Sequence, residues 1–131
     1  MKHKIMIRVL SLLLLAALLV GCASQPKRDI YATLDDIDVL EYSAADIMVT
    51  SYKAPSQYTD RFPDEYATLA AYGEEGVTYI LEYVIERKGL DYCNAMFFVC
   101  CAYQILGMNE FLNISMWDPV EHARALQKYL P

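Results

Sequence analysis

From Tyr92 to Leu106 the chain runs through a stretch in which only Asn94 and Gln104 are plainly polar. A helix that is apolar on every side belongs in the middle of a core or in a membrane. A helix of this length reaches about 22 Å, short of the roughly 30 Å hydrocarbon layer of a bilayer. The stretch therefore predicts a central core helix, stopped by Gly107, around which the other elements pack. A face covered by another copy or by membrane is the alternative.

The neighbouring patterns are also helical, with few internal prolines and no sustained alternation of polar and apolar residues. Val77, Ile80, Leu81, Val84 and Ile85 recur at helical spacing as one apolar stripe, with Glu74, Glu75, Glu82, Glu86 and Arg87 on the other faces. Lys88-Gly89 supplies its stop. Pro63-Asp64-Glu65 opens a helix that runs to Tyr72 and ends at Gly73, since Pro suits the first turn and acids favour its positive end. Asp118-Pro119-Val120-Glu121 opens the last one with a cap, a proline and a capping-box acid. Trp117, just before it, reads as a hydrophobic staple. Ser43-Ala44-Ala45-Asp46 is a further capping signal. Lys53 to Phe62 reads as a loop, and Thr33 to Val39 as either a short helix or a short strand.

The segment Leu69-Ala70-Ala71-Tyr72-Gly73-Glu74-Glu75-Gly76-Val77-Thr78-Tyr79-Ile80-Leu81, followed by a second helix closing on Ile105-Leu106-Gly107, resembles a HEAT-like helical hairpin over residues 64–107. Many such units carry Pro where this chain has Thr78. No second copy follows at a 30–45-residue period, and stacked repeats need about three units or more. The resemblance implies a small all-α domain of about 4–5 helices that binds through a helical surface.

The first residues carry a different kind of signal. Lys2, Lys4 and Arg8 precede Val9–Val20, which is apolar except for Ser11, and small residues follow. This is the layout of a secretory signal, and at 12 residues the apolar run is too short to span a membrane. Leu19-Val20-Gly21-Cys22 resembles the bacterial lipobox, which implies cleavage before Cys22 and a diacylglyceryl group on its sulfur. The organisation expected is a signal peptide over 1–21, a lipidated tether over 22–29 and one helical domain over 30–131. The tether would reach at most about 25 Å from Cys22 to Arg28. The address would be the cell membrane or the outer membrane, with the domain outside the cytoplasm.

Cleavage would remove three of the 11 basic residues and none of the 17 acids, leaving a net charge of −9. Such acidity excludes nucleic acid as a partner, because phosphate binding needs clustered Lys and Arg. Lys27-Arg28, beside the anchor, is the exception that can touch headgroups. Three cysteines besides Cys22 remain. Cys93 and Cys100 are about 10.5 Å apart along one helix, beyond the ~7 Å a disulfide spans. Cys100 and Cys101 point apart, so buried thiols acting as small apolar residues are expected.

Catalytic groups are scarce. The only histidine after the signal is His122, and Cys93 with His122 is the one conceivable thiol pair. No Cys-x-x-Cys or His-x-x-x-His spacing suggests a metal. Asp35, Asp36, Asp38 and Glu41 lack the glycine and spacing of an EF-hand loop. All 11 tyrosines lie after the signal, and Tyr is enriched at binding surfaces. Tyr79 and Tyr83, four apart beside the aliphatic stripe, are the candidates for such a surface. The sequence therefore predicts a non-enzymatic lipoprotein, without cofactor or metal, that is held to the membrane by Cys22 and binds a protein or an envelope component. A thiol-dependent enzyme and a small solute-binding lipoprotein are the alternatives.

Overall fold

The apolar stretch is the centre of the molecule. In the computed structural model, which describes residues 6, 8, 10, 11, 25–39, 54–114 and 118–131, every residue from Cys93 to Tyr103 is buried. Around it stand α1 (residues 25–36), α2 (Ser56–Thr59), α3 (Pro63–Ala70), α4 (Gly73–Glu86), α5 (Tyr92–Ile105) and α6 (Pro119–Gln127). Together they form a small all-α domain. No helix among the described residues is long and apolar enough to cross a membrane. Residues 19–22, the capping signal at 43–46 and Trp117 lie outside the described residues.

Three helices make the frame: α4, α5 and α6 each pack on the other two, while α2 and α3 cover further sides of α5. The stripe on α4 meets this arrangement as its spacing requires, with Val77, Ile80, Leu81 and Val84 all buried. Aromatic rings fill the space between elements. Phe97 takes Phe62 edge-on at 5.5 Å between centroids, and Phe98 takes Tyr83 at 5.8 Å. Edge-to-face pairs of this kind add to the burial of the rings themselves.

The helix ends follow local chemistry. Asp91 caps α5 by accepting from the Cys93 N–H at 2.8 Å, and Asp118 caps α6 by accepting from the Glu121 N–H at 3.0 Å. At the far end of α5 the Met108 N–H bonds back to the Tyr103 carbonyl and the Gly107 N–H to that of Gln104. This closure needs a left-handed residue, and Gly107 supplies it with φ +75°.

Two expectations change. The region around Thr33 is the end of a helix, not its beginning or a strand. Helix α1 is already formed at residue 25, inside the segment read as a tether, and it buries Ile30 and Leu34 in the core. Periodicity from residue 30 onward hides this, because the first turns of α1 are largely exposed. Likewise the loop expected over Lys53–Phe62 contains α2, whose Tyr58 and Thr59 are buried. Residue Asn94, the polar exception near the start of α5, fastens the chain after α1. Its Oδ1 accepts from the Val39 N–H at 2.8 Å, so that backbone group is satisfied without a strand partner.

A candidate binding cleft beside the α1–α4 clasp

Two features of α4 shape the surface near its start. Gly76 lets α4 pass close to the preceding turn: a Cβ there would stand 2.5 Å from that of Tyr72 and 3.5 Å from Ile30. Tyr72 is fixed in turn by Thr33. The Thr33 hydroxyl donates to the Asp29 carbonyl at 2.9 Å, so its oxygen accepts from the Tyr72 hydroxyl at 2.8 Å. Between these groups, the end of α5 and the C-terminal turn lies a cleft of about 490 Å³. Pro26, Ile30, Leu106 and Leu130 give it apolar walls, Tyr72, Tyr79 and Tyr129 contribute rings, and Glu74 and Glu75 stand at its edge. Tyr129 is 60% exposed there, whereas most large apolar side chains of the domain are covered.

The two tyrosines expected to share a binding surface are separated. Tyr79 lines the cleft. Tyr83 is only 3% exposed, because α1 crosses over it. Its hydroxyl donates to Asp35 at 2.7 Å, and its ring meets Tyr31 edge-on at 5.1 Å. Tyr83 is therefore part of a clasp between α1 and α4, not of an open surface. The same clasp joins Lys27 to Glu82 at 3.5 Å, the Tyr31 hydroxyl to Glu86 at 3.3 Å, and Arg87 to Asp35. Lys27 thus turns toward α4 and its Glu82 carboxylate.

Electrostatics match this geometry. The Tyr83 hydroxyl and then the Arg87 guanidinium hold the Asp35 carboxyl below its ordinary value of 3.8. Burial, followed by the Glu86 carboxylate, pushes the Tyr31 hydroxyl up to about 12. A carboxyl that is more acidic in the folded state stabilises the fold above its unfolded pKa, and that contribution is lost as pH falls through the lower folded value. Asp35→Asn is accordingly expected to flatten the acid limb: its melting temperature falls less than the parent's between about pH 6 and about pH 3. Parallel melting curves for the two proteins over that range would show that the clasp carries no pH-dependent stability.

The structure does not bring the thiol pair together. His122 bonds through Nδ1 to the Tyr103 hydroxyl at 2.7 Å. Tyr103 lies ten residues along α5 from Cys93, about 15 Å of helix axis. Burial and the Asp91 carboxylate raise the Cys93 thiol above its ordinary value, and burial raises Cys100 and Cys101 well above theirs. All three thiols are buried, where they fill space as small apolar groups. Among the described residues no three His, Cys, Asp or Glu side chains gather into a group able to hold a metal ion.

No protein-family model, curated protein or solved structure matches this chain. Its functional reading rests on its own residues. Sequence reasoning reached Tyr79 but missed Tyr72, Tyr129 and the rim carboxylates as its neighbours. Glu75 and Tyr79 share a helix face at a spacing of four, which is a readable signal. The approach of Tyr129 from the end of the chain has no counterpart in local pattern.

Proposed function

We propose that this chain is a lipid-anchored, non-enzymatic helical module that binds a protein or envelope component close to a membrane. The observation that carries the reading is the place of the cleft. Pro26, on its wall, stands four residues after Cys22, so at most about 14 Å of chain joins anchor to cleft. The reading assigns a covalent lipid on Cys22 and no cofactor, and the membrane in question is the cell membrane or the outer membrane. Two acyl chains suffice for stable anchoring where one does not. Residues 64–107, which take in α3, α4 and α5, resemble a HEAT-like hairpin, a type of unit that binds through its helical surface. A small solute is the second reading, since the cleft exceeds the roughly 300 Å³ at which ligand pockets begin. The cleft's open side and ring-lined rim favour a macromolecular partner.

The test has two parts. Labelled palmitate is expected in the parent protein and in its membrane fraction, and to be lost from both in Cys22→Ser. Equal labelling and sedimentation of the variant would discard the anchor. A photo-crosslinking residue replacing Tyr79 in intact cells is expected to give an adduct of defined mass, while one replacing the exposed Thr68 gives none. Identical adduct patterns from the two positions, or none from Tyr79, would discard the cleft as the binding site.

A further inference from the structure

Helix α4 carries four glutamates, and they divide into two groups. Glu82 and Glu86 are engaged by Lys27 and Tyr31 of α1. Glu74 and Glu75 have no partner among the described residues, and the residues lining the cleft beside them include no Lys or Arg. The positive end of α4 accounts for acids in its first turn. It does not account for the half-buried Tyr72 and Tyr79, the exposed Tyr129 and the apolar wall placed next to them.

The clasp next door shows what such groups hold in this protein. Lys27 lies over the Tyr31 ring, 5.3 Å from its centroid, and pairs with Glu82. Arg87 lies over the Tyr83 ring at 5.1 Å and pairs with Asp35. Each time, a cation stands between a tyrosine face and a carboxylate, where the ring quadrupole and the acid both attract it. The cleft presents the same two kinds of group, Tyr79 and Tyr129 with Glu74 and Glu75, and the described chain brings no cation to them.

Resting on the binding role given to this cleft above, we propose that its occupant is a cationic, apolar peptide segment of a partner protein. An Arg or Lys side chain sits against Tyr79 and Tyr129 and pairs with Glu74 and Glu75, while a flanking apolar side chain packs on Leu106 and Leu130. Charge complementarity selects the cation, and the apolar wall selects a peptide over a small hydrophilic ion.

The test uses the full chain in zwitterionic nanodiscs and a short fluorescent peptide alternating Leu and Arg, read by anisotropy. Saturable binding is expected for this peptide and none for its counterpart with Glu in place of Arg. Glu74→Gln with Glu75→Gln should weaken binding about fivefold or more. Asp60→Asn with Asp64→Asn, which removes the same charge away from the cleft, should change it by about twofold at most. Equal binding of the two peptides overturns the proposal, as does equal weakening by the two double variants. Full displacement of the peptide by tetramethylammonium assigns the cleft to small cations and also overturns it. A Tyr79 adduct in cells without binding of the Arg peptide removes the cationic partner and leaves the binding role standing.

Discussion

Phe98→Ala is expected to destabilise the domain by about 3–5 kcal/mol. Phe98 has no exposed surface and sits on the central helix, with its ring edge-on to Tyr83 and tilted against Phe97 at 6.1 Å. Removing the ring loses its transfer free energy and leaves a cavity that three helices cannot readily close. The loss also reaches the clasp, because Tyr83 is the residue that carries both the Phe98 contact and the bond to Asp35. Urea unfolding followed by circular dichroism measures the change. Tyr129→Ala, at an exposed ring, is the control and should shift stability by no more than about 0.5 kcal/mol. A Phe98→Ala cost below about 1 kcal/mol would mean that the core around α5 is loosely packed.

Tyr103→Phe keeps the ring and removes one oxygen, and is expected to cost about 2–3 kcal/mol. That oxygen accepts from the Leu112 N–H at 3.2 Å and shares a hydrogen bond of 2.7 Å with His122 Nδ1. Phe111 packs edge-on against both Tyr103, at 5.3 Å, and His122, at 5.6 Å. One hydroxyl therefore joins the central helix, the segment after it and α6. Its removal leaves the buried His122 nitrogen and the half-buried Leu112 N–H without that partner, and the buried loss alone costs about 1–3 kcal/mol. The same urea experiment reads it, and a cost within about 0.5 kcal/mol of zero would show that water reaches these groups in the variant.

Both predictions turn on α5, and the two residues illustrate different degrees of legibility. That Phe98 is buried follows from its place in a run with almost no polar residues. That Tyr103 needs a partner follows from the same burial, but the identity of the partner does not. His122 is nineteen residues away on a helix whose own pattern gives only its cap and its apolar side. The buried histidine reads in sequence as an isolated titratable group near a helix start, and in the fold it is one end of a packing bond.

The cleft divides along the same line. Tyr79 and Glu75 share a face of α4 by spacing alone, so part of the surface could be read directly. Tyr83 stands four residues from Tyr79 beside the stripe, yet it ends beneath α1 because α1 starts at residue 25, earlier than its weakly patterned first turns suggest. Lys27 reads in sequence as a headgroup contact and Arg87 as a charge off the stripe, and each instead lies over a tyrosine four residues away on its own segment and pairs with a carboxylate on the facing helix.

By itself the sequence determined that α3, α4, α5 and α6 are helical, where several of them start and stop, and that Tyr92–Leu106 occupies the centre. Those properties depend on contacts within a turn or two and on the uniform apolarity of one run, so local order suffices to specify them. Only the tertiary structure decided which tyrosines are open and which are clasped, and which carboxylates keep a cation. Those outcomes depend on the crossing of α1 over α4 and on the return of the C-terminal turn to the start of α4. Both bring together groups some fifty residues apart, a separation that no local periodicity encodes.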